Sequence, residues 1–169
     1  IHKVSDIEYN PDLPLHVSFD FNVNPYMPCL VFQVEPYSGV NGSGDMVRHF
    51  NINLIREYTL RSPNNTTKDV CKKIRAEFAE HISGMFVYGD PRGVDADTRS
   101  EKGHNDYVVI RRELARFKPS LKIMKKADHV KTRISFANAV FSGGIDGLLF
   151  RVSASCKKAI EDFKYIKED

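Results

Sequence analysis

Leu15-His16-Val17-Ser18-Phe19-Asp20-Phe21-Asn22-Val23 places an apolar residue at every odd position and a polar one at every even position. A period of two predicts a half-buried β-strand, with Asp20 on its polar face. Further along, Met85-Phe86-Val87-Tyr88-Gly89-Asp90-Pro91 ends a second apolar run on another acid. Two acids, each closing a hydrophobic strand and opening a loop, suit one shared divalent cation.

The elements between and after these runs decide whether the acids can meet. Cys29 to Glu35 and Met46 to Glu57 read as strands, separated by the hairpin composition of residues 38–45. Three strands joined by short turns predict an antiparallel meander. The period then changes. Thr66 with Asp69 resembles a capping box, and Val70, Ile74, Phe78 and Ile82 recur every four residues, predicting a helix that stops at Gly84. A strand over 85–88 follows, then a polar loop over 91–103. Asn105 is expected to cap a helix reaching about Phe117, with a short strand over 121–124. A helix over about 128–141, a strand over 148–152 and a last helix capped by Ser153 complete the chain.

The order β-β-β-α-β-α-β-α-β-α predicts an α/β protein of one domain, residues 1–169. Its mixed sheet has five to six strands, a meander feeding parallel β-α units, with helices on the flanks. In such a sheet the first strand lies centrally and the fourth runs parallel beside it. Ligands gather outside the carboxyl ends of the strands, where Asp20 and Asp90 are expected together. Two adjacent carboxylates repel unless a cation neutralises them. Mg²⁺ or Mn²⁺ prefers such ligands, and a two-metal site activates water for phosphodiester hydrolysis.

Composition narrows the classes. At 169 residues with 41% hydrophobic content, the chain can bury one sizeable core. No apolar run is long enough to span a bilayer and no signal segment is present, so a host-cell cytoplasmic location is expected and a membrane partner is not. Cys29, Cys71 and Cys156 are odd in number and form no CxxC pair, which argues against a zinc site or a disulfide framework. The Gly-rich stretch near 39–44 lacks phosphate-loop spacing, and no GxSxG or HExxH occurs. His104 and His129 read as surface residues. Net charge is only +3, but basic residues thicken from Arg92 to Arg133, which favours an anionic polymer as partner. Within the loop after Asp90, Arg92, Arg99 and Lys102 are the candidate phosphate contacts. Asp95, Asp97 and Asp106 read as surface acids.

The ordered series HVSFDFNV (16–23), VYGDPRG (87–93), NDYVVIRREL (105–114), KTRISFANAVF (131–141) and SCKKAIEDF (155–163) resembles the nuclease domain of the large terminase subunit of tailed bacteriophages and prophages. The resemblance implies an RNase H-like fold over nearly the whole chain, and a metal-dependent endonuclease that cuts double-stranded DNA during viral packaging. Asp20 and Asp90 match the first two metal-binding acids, and Arg133 and Asn138 match recurrent positions. It further implies an ATPase motor upstream in the same chain, with a portal protein and a small terminase subunit as partners.

The third acid of that family, in a C-terminal Asp-Ala-x-x-Tyr pattern, is absent: the chain stops at Lys167-Glu168-Asp169. Either the domain's tail lies beyond residue 169 or another acid substitutes. Asp162 is one candidate, about 100° from the centre of the apolar face of the last helix. Glu57, at the end of the third strand, is the other. Competing readings are a resolvase-type nuclease of the same fold and a non-catalytic module that docks DNA or a portal. An actin-like nucleotide-binding domain is disfavoured, because Asn22-Val23-Asn24-Pro25 stands where a glycine-rich phosphate turn would follow the first acid.

Overall fold

The computed structural model describes residues 2–4, 7–21, 25–40, 42–91, 105–125 and 128–165. Its scaffold is a long hairpin of β3 (Met27–Val40) and β4 (Met46–Leu60), paired antiparallel along the full length of β3. Both strands run further than the sequence pattern predicts, since the ladder continues through Pro36 and Gly39. One irregularity interrupts it. Val31 pairs with Arg56 and Phe32 with Leu54, leaving Ile55 as an extra residue in β4. The extra residue shifts the alternation along β4, so that Leu54 is buried in one core and Tyr58, four residues on, in the other.

On one side of the hairpin, β2 (Leu15–Phe19) pairs antiparallel with β3 and parallel with β5 (Met85–Gly89), and β6 (Pro119–Leu121) extends the sheet from β5. On the other side, β7 (Leu148–Ser153) lies parallel to β4. These are the six strands expected. A seventh, β1 (His2–Val4), adds an edge parallel to β7, giving the order β1-β7-β4-β3-β2-β5-β6.

Each face of the sheet carries its own core. Leu15, Val17, Phe19, Cys29 and Val31 pack with Val70, Cys71 and Ile74 of α1 (Thr67–Glu77) and with Tyr107 and Ile110 of α2 (Asp106–Glu113). Leu54, Phe150 and Val152 pack on the opposite face with Val140 of α3 (Val130–Phe141) and Ala159 of α4 (Lys157–Tyr165). Leu15, Val17, Val70, Ile74 and Ile110 have no exposed surface, and each such side chain stabilises the fold by about 1.5–3 kcal/mol. All three cysteines are buried free thiols. Among the described residues, no helix is long and apolar enough to cross a membrane.

Three local expectations are corrected. Helix α1 ends at Glu77 instead of continuing to Gly84, because Phe78 leaves the helical region (φ −101°, ψ 37°). Ile82 is therefore 79% exposed, and His81 is buried in its stead, bonded to Tyr9 Oη and the Gly84 carbonyl, both at 2.8 Å. Strand β6 lies earlier than predicted, over 119–121. Ser153 does not cap the last helix: its hydroxyl contacts Ser155, while Glu57 accepts from the backbone N–H groups of Lys158 (2.8 Å) and Ala159 (2.6 Å). A carboxylate from β4 thus takes two of the donors that every helix N-terminus leaves unpaired, where the helix dipole also favours negative charge.

Removing that anchor should loosen α4. Glu57→Ala is expected to cost roughly 1–3 kcal/mol in urea unfolding, and Glu57→Gln, which keeps an acceptor, distinctly less.

Candidate active site

The site is set by the pairing of β2 and β5. Leu15 lies opposite Met85, Val17 opposite Val87 and Phe19 opposite Gly89. The next residue on each strand is an acid, Asp20 on one and Asp90 on the other, and both are exposed. Neighbouring strands run about 4.8 Å apart, so the two acids leave the sheet abreast at its carboxyl edge. Side chains alternate along each strand. Leu15, Val17 and Phe19 point into the α1–α2 core, so the alternation carries Asp20 to the opposite face with His16 and Ser18. Asp90 follows Phe86 and Tyr88 to that same face.

Backbone contacts hold both acids. The Asp20 N–H donates to the Pro28 carbonyl at 3.1 Å, carrying the β2–β3 ladder one residue past the strand. The Asp90 carbonyl accepts from the Tyr107 hydroxyl at 2.8 Å. Tyr107 is buried in the first turn of α2, edge-on to Phe21, whose ring stacks on Phe19. Gly89 makes the approach possible: a Cβ there would lie 2.6 Å from the Tyr107 hydroxyl and 3.1 Å from the Phe19 carbonyl. Burial, reinforced by Asp90 and Asp106, pushes the Tyr107 phenol up to about 12, so it stays a donor at neutral pH. Helix α2 is placed by its Asn105 cap, which accepts from the Val108 N–H at 2.9 Å, and by the Thr67 hydroxyl of α1, which donates to Asp106. Asp106 therefore has a structural partner.

The remaining candidates sit differently. Asp162 on α4 pairs with Lys158 Nζ at 3.2 Å and accepts from Tyr26 Oη at 3.4 Å. Tyr26 precedes β3 directly, so Asp162 lies at the same end of the sheet as the two acids. Glu57 lies opposite Leu30, which in turn lies opposite Ser18, so it shares their face two strands away. Its oxygens are engaged with α4, as described above. Among the described residues, no three His, Cys, Asp or Glu side chains gather to hold a metal. Asp20 and Asp90 come to one edge, and neither Asp162 nor Glu57 completes a cluster with them. Two carboxylates are nevertheless the hard oxygen donors that Mg²⁺ or Mn²⁺ takes.

Arg92, Asp95, Asp97, Arg99, Lys102 and His104 lie outside the described residues. Arg133 and Asn138 are both exposed on α3. His129 is exposed and caps α3, its Nδ1 accepting from the Lys131 N–H at 3.4 Å.

The sequence reading missed the Gly89–Tyr107 contact, although a glycine inside an apolar strand is a signal of close approach. It also missed the side chains flanking the acids' face. His16 Nδ1 meets Tyr88 Oη at 2.9 Å, with the rings stacked at 5.9 Å, and burial lowers the imidazole pKa.

No protein-family model matches the sequence, and no curated protein does. Two solved structures share the fold. The large terminase from the thermophilic bacteriophage D6E superposes with a TM-score of 0.55 at 14% identity, over 97% of this chain. The P22 large terminase nuclease domain does so with 0.54 at 15% identity, over 99% of this chain. The chain spans 34% of the D6E protein and 75% of the P22 domain. Its fold is that of these terminase nuclease domains, an RNase H-like mixed sheet between helical layers.

A double-mutant cycle tests the brace beneath the acids. Gly89→Ala should cost about 1–3 kcal/mol by overpacking against the Tyr107 hydroxyl. In a Tyr107→Phe background, which lacks that oxygen, the same change should cost measurably less.

Proposed function

We propose that this chain is a metal-dependent endonuclease domain that cuts double-stranded DNA during viral DNA packaging. The observation that carries the reading is the arrival of Asp20 and Asp90 side by side at the carboxyl edge of two parallel strands. The shared fold of terminase nuclease domains supports it. In this reading Asp20 and Asp90 hold Mg²⁺ or Mn²⁺, with a two-metal arrangement once the scissile phosphate is bound. When bound, the metal supplies a nucleophile from water and stabilises the leaving oxygen.

The chain's own residues would set the geometry. Tyr107 fixes the backbone of Asp90, and the Pro28 carbonyl fixes that of Asp20. Asp162, at the same end of the sheet, is the proposed auxiliary acid. Glu57 is proposed to act through α4, whose first amides it caps, and so to position Asp162. Arg92, Arg99 and Lys102, with Arg133 on α3, would hold the phosphate backbone. An ATPase domain in the same chain, a portal protein and a small terminase subunit are the proposed partners, and the host cytoplasm the proposed location.

A second reading keeps the fold without the cutting: a module that docks DNA or a portal. What favours it is the presence of two gathered acids, not three, among the described residues.

Plasmid nicking with Mn²⁺ separates the two. A version extended beyond residue 169 is expected to nick, and Asp20→Asn and Asp90→Asn in it each to lose at least the roughly 10–100-fold that even an outer-shell partner is worth. Nicking that survives both substitutions would sink the metal-site reading. An extended version that binds DNA without nicking it would favour the docking module.

A further inference from the structure

The sheet face that carries the two acids is built of rings further down the same strands. His16 pairs with Phe86, Ser18 with Tyr88, and one step beyond Phe19 and Gly89 stand Asp20 and Asp90. Same-face residues on a strand recur about every 6.6–6.8 Å, so a row of two rings and a row of hydroxyls lead up to the acids. The His16 and Phe86 ring centroids are 5.0 Å apart, and His16 stacks on Tyr88 at an interplanar angle of 12°. Lys122, just past β6, donates its backbone N–H to the Val87 carbonyl at 2.8 Å and sets its ammonium 5.3 Å from the centre of the Phe86 ring.

These rings are half-buried and lie outside the two hydrophobic cores. Phe86 and Tyr88 belong to neither core cluster, and His16, Phe86 and Tyr88 all keep part of their surface in solvent. The helices of this face, α3 and α4, contribute Val140 and Ala159 to the core over β4 and β7, which leaves β2, β5 and β6 outside that core. A partly exposed sheet face bearing three rings and a lysine has the chemistry that single strands recognise. Unpaired bases stack on aromatic side chains and neighbouring cations take the phosphates, whereas paired bases are already stacked on one another.

We propose that the face of β2, β5 and β6 formed by His16, Phe86, Tyr88 and Lys122 is a base-stacking platform for single-stranded DNA. The strand would run along the platform to Asp20 and Asp90. That direction rests on the nuclease reading, while the binding itself does not. A strand frayed or nicked at the acids would be held there by its unpaired bases, so the protein would favour single-stranded over fully paired DNA at this surface.

The test is fluorescence anisotropy with a labelled oligothymidylate and with the matching thymidine–adenosine duplex, in EDTA so that nothing is cut. Phe86→Leu and Tyr88→Leu keep an apolar side chain and remove the π face, and circular dichroism melts confirm that each variant is folded. Each should weaken oligothymidylate binding by at least about fivefold, the lower end of what one stacked base is worth. The Tyr88→Phe variant should bind like the parent, because it keeps the ring, and Lys122→Gln should flatten the salt dependence. Equal oligothymidylate affinity in parent and both leucine variants would overturn the platform, even if the parent nicks plasmid in Mn²⁺. Platform-dependent binding by a version extended beyond residue 169 that does not nick would leave the platform standing and sink the nuclease reading instead.

Discussion

The parallel pairing of β2 with β5 is the constraint on which the candidate site depends. Phe19 opposite Gly89 brings Asp20 and Asp90 level, and nothing in the acids themselves enforces this. The register is held by the core. Leu15, Val17, Met85 and Val87, all nearly or wholly without exposed surface, face the same helices. A slip of one residue in β5 would turn Met85 and Val87 out to solvent and Asp90 towards the opposite face. Burial that stabilises the domain therefore also places two like charges at one edge. Two carboxylates at one edge offer the hard oxygen donors that a divalent cation takes, which is the physical reason to propose one there.

Around this pair, side chains reach backbone across long stretches of sequence. Tyr107 on α2 holds the carbonyl of Asp90 and depends on the missing Cβ of Gly89. Glu57 on β4 holds the first amides of α4, about a hundred residues later in the chain. One device ties the α1–α2 layer to the acids, and the other ties the second layer's last helix to the face they share. Asp162 rides on that helix, which Glu57 and the packing of Ala159, Ile160 and Phe163 hold in place together.

Much of the fold was legible because its strands obey simple periods. The alternation over 15–23 predicted both β2 and the outward turn of Asp20, and the meander followed from three such runs. The failures were non-local or terminal. The four-residue repeat ending at Ile82 continued past the real end of α1, where His81 satisfied both ring nitrogens and took the buried place. Ser153 had the right residue type for a cap, yet the capping carboxylate came from β4, which no local pattern can announce. Edge strand β1, only three residues long, was too short to read. At the site, the two acids were legible as the ends of apolar runs. The brace of Gly89 and Tyr107 and the ring-lined approach of His16, Phe86 and Tyr88 were not, because each needs the strand register to bring its members together.

Whether Asp20 and Asp90 share a cation across the β2–β5 edge can be read from a Mn²⁺ titration followed by NMR. Paramagnetic broadening falls off steeply with distance and so reports which amides border the metal. The amides of Asp20 and Phe21 are expected to broaden together with those of Gly89 and Asp90 at the same low Mn²⁺ ratio, and Asp20→Asn or Asp90→Asn to abolish broadening at both strand ends. Broadening confined to one strand end, or centred elsewhere on the sheet, would contradict a shared cation.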